Sequence, residues 1–262
     1  MFQRARALSI DPHGNVYVVD GGASRIVKLS PEAELLETAG GYGWTDQAFD
    51  QPADIVAPNG LDVYVADYGN HRIQRLDRNL NFVSSFSRRD DETAVVQFGY
   101  PRGVAQDRFG AIFITDGENK RIVKLNPSGA VELVFGDLAA GEGRLESPSR
   151  VRVSSDDRVY VQDLNRIVMF DIFGNYLGTL GNNLFRRLRC FAVEEKTVYV
   201  LDSCTVDAFR EGGKGDHLRG VLPPGTSQDP CDAVDIGVKG DRIYVLTEHR
   251  VSIGKLLLEQ IR

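Results

Sequence analysis

Carboxylates and guanidinium groups recur at fixed spacing along this chain. Asp closes five near-copies of one segment: VYVVD ending at Asp20, VYVAD at Asp67, IFITD at Asp116, VYVQD at Asp163 and VYVLD at Asp202, with a degraded sixth, IYVLT, at Thr247. Arg follows five residues later in Asp20 and Arg25, Asp67 and Arg72, and Asp116 and Arg121, and three residues later in Asp163 and Arg166. A lone Asp of this kind would suggest acid–base or metal chemistry. A carboxylate at a tight turn also accepts backbone N–H bonds and holds a guanidinium across the turn, and five copies favour that structural role, because an active site occurs once and a fold device once per unit.

A second set precedes the first strand of each unit: Arg4, Arg6, Asp54, Arg102, Arg150, Arg187, Arg189 and Asp232. Gathered at one mouth, the Arg residues would offer bidentate donors to an anion or carboxylate. Alternatively, some pair with Asp54 and Asp232 or turn outward as solvated charges. Tyr42, Trp44, Phe49, Phe98 and Tyr100 fall in the linking segments, as rigid anchors for a partner or as plugs beneath their own loops.

The remaining chemistry is sparse. Of the four His, only His71 and His249 could share a face with that mouth, and two ligands without a third do not make a zinc site, so neither metal nor cofactor is expected. There is no G-x-S-x-G, H-E-x-x-H or phosphate-loop pattern. Cys190, Cys204 and Cys231 allow at most one disulfide, with buried free thiols as the favoured alternative. Asp90, Asp91 and Glu92, after Arg88 and Arg89, read as a solvated loop tip.

The net charge of −6, from 31 basic against 37 acidic residues with signs interspersed, disfavours general nucleic-acid binding. No run of about 18 apolar residues is present to span a membrane, and Met1 to Ala7 has no apolar stretch behind it to make a signal peptide, although an extracytoplasmic setting stays open.

The elements that must position these residues are short strands. In the third unit Pro101 to Asp107, Ile112 to Asp116, Arg121 to Leu125 and Ala130 to Phe135 alternate with turn signals, which predicts a four-stranded meander. The same layout recurs over 5–41, 52–87, 101–136, 148–181, 188–222 and 232–262, at a period of roughly 40 to 50 residues. Each small sheet has two apolar faces that only neighbouring sheets can cover, so six of them close into a ring: an all-β, six-bladed β-propeller in a single domain over 1–262. A two-sheet sandwich would not explain the recurring Asp and Arg. Closure is expected by packing alone, with Leu256 to Ile261 supplying the last outer strand.

The pattern Pro-x-Gly-Val, then aromatic-aliphatic-x-Asp, then Arg-Ile-x-x-Leu, as in Pro101 to Leu125 and in Asp67 to Ile73, resembles the NHL repeat. Gly40 to Gly43 with Phe49 and Pro52, and Gly136 to Gly143 with Leu145 and Pro148, look like that family's links between blades. The resemblance implies a propeller whose members include protein-binding modules, RNA-binding domains, sensor domains and a metal-dependent peptide-amidating lyase. The reading taken here is a monomeric, non-catalytic module that recognises a protein or peptide through the loop face and the Arg-lined mouth. A lyase or hydrolase and an RNA-binding domain remain the alternatives.

Overall fold

Alternation along each second strand decides the architecture. In Val16–Asp20 every residue is buried; Tyr17 and Val19 pack with Ile55, Val63 and Val65 of the next unit, whereas Val16 and Val18 pack with Tyr244 and Leu246 of the last. Period-two side chains thus cover two neighbours at once, which only a sheet sandwiched between sheets can do. A computed structural model describes residues 2–87, 97–181, 184–210, 217–221, 230–256 and 259–260. It contains six antiparallel sheets in sequence order, and its six apolar clusters each span two adjacent sheets, which makes a six-bladed β-propeller.

Blades one to four are four-stranded meanders with the first strand innermost. Outer strands such as Phe82–Ser87 alternate between partial burial and exposure, as an edge facing solvent on one side should. Hairpin turns on one face are closed by Asx chemistry: Asp11 Oδ1 accepts the N–H of His13 (2.8 Å) and of Asn15 (2.9 Å), and Gly14 takes the left-handed φ of +87° that the turn requires.

The ring closes through side chains. Phe2, Ala5, Leu8, Val16, Val18, Val27 and Leu29 of blade one pack with Tyr244 and Leu246 of blade six. Two backbone bonds join them, Phe2 N–H to His249 O at 3.3 Å and Ala5 N–H to Glu248 O at 2.8 Å. Each fully buried aliphatic contributes about 1.5 to 3 kcal/mol against about 0.5 to 1.5 for a net hydrogen bond, so packing dominates this seam.

Two expectations are corrected. Leu256 to Ile261 is expected to complete blade six, but its described strand Glu259–Gln260 pairs with His217–Val221, as a fifth strand on blade five, and blade six has three strands among the described residues. Leu256 packs on the cluster between blades five and six. The cysteines are not all free thiols: Cys204 and Cys231 are joined as a disulfide, and Cys190 alone is free and buried. Arg88 to Glu92 lies outside the described residues.

Candidate functional site

The first strand of every blade carries a β-bulge at its second residue. Ala5 pairs with Asp20 and Ala7 with Val19, skipping Arg6, and the same slip skips Ala53, Arg102, Ser149, Arg189 and Val234. A bulged residue leaves the ladder and its side chain is re-aimed. All six bulged residues line one cavity of about 430 Å³ at the axial mouth, together with Gln51, Tyr68, Arg150 and Gln162. The bulges therefore build the mouth, and in blades one, three and five they carry Arg.

The glycine after the turn Asp makes room for these arginines. A Cβ on Gly21 would lie 2.7 Å from Cδ of Arg6, and one on Gly117 would lie 3.1 Å from Nε of Arg102. Arg189 donates from Nη1 to the carbonyl of Cys231, and Arg102 reaches Ser147 Oγ at 3.5 Å. Arg6 makes no ion pair among the described residues. The lining contains no carboxylate, so the wall is positive with neutral hydrogen-bonding groups between the charges.

Asp54 does not line the mouth, and Arg150 lines it from one layer below the bulged residues. They follow the bulge by one position and share a deeper ring with Gly103, Cys190 and Asp235. Arg150 donates across the axis to Asp235 of blade six. Arg152 grips Asp54 of blade two with both terminal nitrogens, at 2.8 and 2.9 Å. Each carboxylate also accepts an N–H from the next blade, Leu8 N–H on Asp235 at 2.8 Å and Val104 N–H on Asp54 at 3.1 Å. Burial by itself would lower the Arg150 pKa, but Asp235 and Asp54 outweigh it and raise it, while burial and then Asp235 push the Cys190 thiol up. Arg150 is thus neutralised, and the free positive charge of the mouth belongs to Arg6, Arg102 and Arg189.

The other residues expected at the mouth lie elsewhere. Asp232 is exposed in a short 3-10 turn and borders a separate cavity. Arg4 is exposed 3.6 Å from Glu248, and Arg187 is exposed with its N–H on Asp202. Phe49 and Phe98 are buried plugs, whereas Tyr42 and Trp44 are 76% and 77% exposed. Tyr100 packs its ring 4.1 Å from His71 and 5.1 Å from Tyr68.

The turn Asp residues have a second task that their spacing alone did not disclose. Arg25, Arg72 and Arg121 Nε lie 3.0, 2.8 and 2.9 Å from Asp20, Asp67 and Asp116, and Arg166 Nη2 lies 2.8 Å from Asp163. The other carboxylate oxygen takes N–H groups just before strand one: Gln3 and Arg4 on Asp20, Asp50 on Asp67, Gly99 on Asp116, and Glu146 and Ser147 on Asp163. Arg72, Arg121 and Arg166 donate onward to carbonyls of the same links. Each pair therefore pins the entry of its own blade.

Residues 49–76 match the family model of the NHL repeat. A probable peptidyl-alpha-hydroxyglycine alpha-amidating lyase of Caenorhabditis elegans is 24% identical over 232 residues, covering 86% of this chain and 60% of that protein. NHL repeat-containing protein 3 of Mus musculus is 24% identical over 205 residues, covering 69% of this chain and 58% of that protein. The repeat match and the NHL repeat-containing relatives support an NHL-repeat β-propeller family for this chain. Among solved structures, a streptogramin B lyase superposes on this NHL propeller with a TM-score of 0.65 at 15% identity, over 99% of this chain and 85% of that one, which establishes likeness of fold. The chain spans 60% and 58% of the length of the two curated relatives. Among its described residues no three His, Cys, Asp or Glu side chains gather as a metal-ligand group, and no helix is long and apolar enough to cross a membrane.

Proposed function

We propose that this NHL propeller is a recognition module that takes the carboxylate of a protein or peptide partner into its axial mouth. The observation that carries the reading is the placement of Arg6, Arg102 and Arg189 on bulges around a cavity of about 430 Å³ with no acid in its wall. Guanidinium groups on rigid strands offer planar paired donors with little ordering to lose on binding, so recognition needs no movement of the blades. Exposed Tyr42 and Trp44 in the link between blades one and two add apolar anchors.

Calorimetric titration with a short peptide carrying a free C-terminal carboxylate tests this. The triple variant Arg6→Ala, Arg102→Ala, Arg189→Ala is expected to lose at least tenfold in affinity, and C-terminal amidation of the peptide to weaken binding to the native protein. Equal affinity for the native and triple-variant proteins sinks the reading.

The extended match to the amidating lyase favours a second reading, in which the same mouth holds a peptidyl-α-hydroxyglycine and releases peptide amide and glyoxylate. Incubating purified protein with that substrate and added zinc, and looking for glyoxylate, separates the two. Product formation lost on Arg102→Ala would support the lyase; its absence supports the binding module.

A further inference from the structure

Blade six keeps one half of the turn pair and lacks the other. In blade four the pair is Asp163 and Arg166, three residues apart, with the guanidinium on one carboxylate oxygen and the entry N–H groups of Glu146 and Ser147 on the other. Blade six has Thr247 and Arg250 at the same spacing, and Thr247 pairs with Ala233 as Asp163 pairs with Pro148. The Thr247 hydroxyl closes the turn, accepting the N–H groups of His249 at 3.4 Å and Arg250 at 3.2 Å. It offers the guanidinium no charge. Arg250 is exposed, and among the described residues its side chain makes no hydrogen bond or ion pair.

Thr247 and Arg250 border a common open space. Thr247, Glu248, His249 and Arg250 line a cavity of about 550 Å³ with Arg189, Asp232 and Val234. Its two acids do not fill the position: Glu248 lies 3.6 Å from Arg4, and Asp232 sits on the 3-10 turn leading into strand one. Blade-six entry is anchored differently, by the disulfide from Cys231 to Cys204 in the turn of blade five, so the fold stands without a carboxylate at 247.

We infer that Arg250 and Thr247 form a carboxylate-binding site, in which a ligand supplies the group that Asp supplies within the other blades. The ligand oxygen would take the place of the Asp oxygen on Arg250 Nε, with His249 and Arg189 bordering the same space. Arg189 and Val234 also line the axial mouth, so the two cavities adjoin.

Nuclear magnetic resonance of the arginine Nε–Hε groups reads this site directly. Acetate is expected to give a saturable shift of the Arg250 resonance, and the blocked peptide acetyl-Gly-Asp-Gly-amide distinguishes a side-chain carboxylate from a small free acid by binding tighter or weaker than acetate. Thr247→Asp fills the position from within. It is expected to weaken the acetate response at least tenfold while raising the urea midpoint, which shows that the loss is not unfolding. The proposal is overturned if Arg250 shows no saturable shift with either probe, or if the Thr247→Asp protein binds acetate as the native protein does. The axial mouth is not what this resonance reports, so failure here leaves the role of Arg6, Arg102 and Arg189 standing.

Discussion

Asp54 is buried with both its oxygens on Arg152, and the Val104 N–H is its other donor. Arg152→Ala therefore leaves a charge in the ring with most of its donors gone, and the expected loss of stability is about 3 to 5 kcal/mol in urea unfolding. Replacing Asp54 and Arg152 together by Leu and Met removes both charges, and the expected cost is far smaller; equal losses for the single and double variants would show that the pair is not what matters. A pH dependence follows from the second strands. Tyr17, Tyr64, Tyr160 and Tyr199 all have raised pKa values, with burial the largest cause in each and Asp11 adding to Tyr17. Because the folded values exceed the ordinary one of about 10, the unfolded chain releases these protons first. Their contribution is complete below pH 10 and is lost as pH rises through 10 toward the raised folded values. The urea midpoint should fall as pH rises above about 10, more steeply in the native protein than in Tyr17→Phe; identical slopes would refute this. At this scale the sequence identified which residue types ring the axis but not their depth. Asp54 and Arg102 both stand near the start of strand one, yet Pro52-Ala53-Asp54 set against Pro101-Arg102-Gly103 shows them one residue out of step, and only the bulge turns that step into two layers.

At the scale of the element, the Asp turn joins two parts of the chain, and blades differ in how much it holds. Asp67 accepts from Arg72, Asn70 and Gln74 as well as from the Asp50 N–H. Asp202 of blade five holds the N–H groups of Arg186 and Arg187, but Thr205 stands where an Arg would be. Asp67→Ala should accordingly cost about 3 to 5 kcal/mol by leaving Arg72 uncompensated, and Asp202→Ala about 1 to 3 kcal/mol by leaving backbone donors unpaired. Chemical denaturation of the two variants gives the comparison, and equal losses would remove Arg72 from the account. The turns were legible because a five-residue segment closed by Asp recurs in five blades, with Arg following in four of them. The links were not, since Gln3, Asp50, Gly99 and Glu146 share no residue type: what the turn carboxylate captures is a backbone N–H, which leaves no mark in the sequence. Gly103 is a related case, set by the approach of the Ser149 carbonyl to 2.8 Å from where a Cβ would be.

At the scale of the molecule, the six seams are alike in their packing, and the one between blades five and six is crosslinked as well. Cys204 and Cys231 are 27 residues apart, so opening that loop to the unfolded chain's full freedom should lower stability by about 3 to 4 kcal/mol. Thiol reduction followed by thermal unfolding measures this, and an unchanged midpoint would show that the crosslink is idle. Cys190, buried with its thiol pKa pushed up, should resist alkylation until the ring opens. The two axial ion pairs have a further consequence. Arg150 and Arg152 leave the same strand in opposite directions, to blade six and to blade two, so every second blade is tied to a common strut. The bore of the ring is then set by the reach of two arginine side chains, and a guest at the mouth must fit a fixed diameter, since the blades cannot spread to admit it.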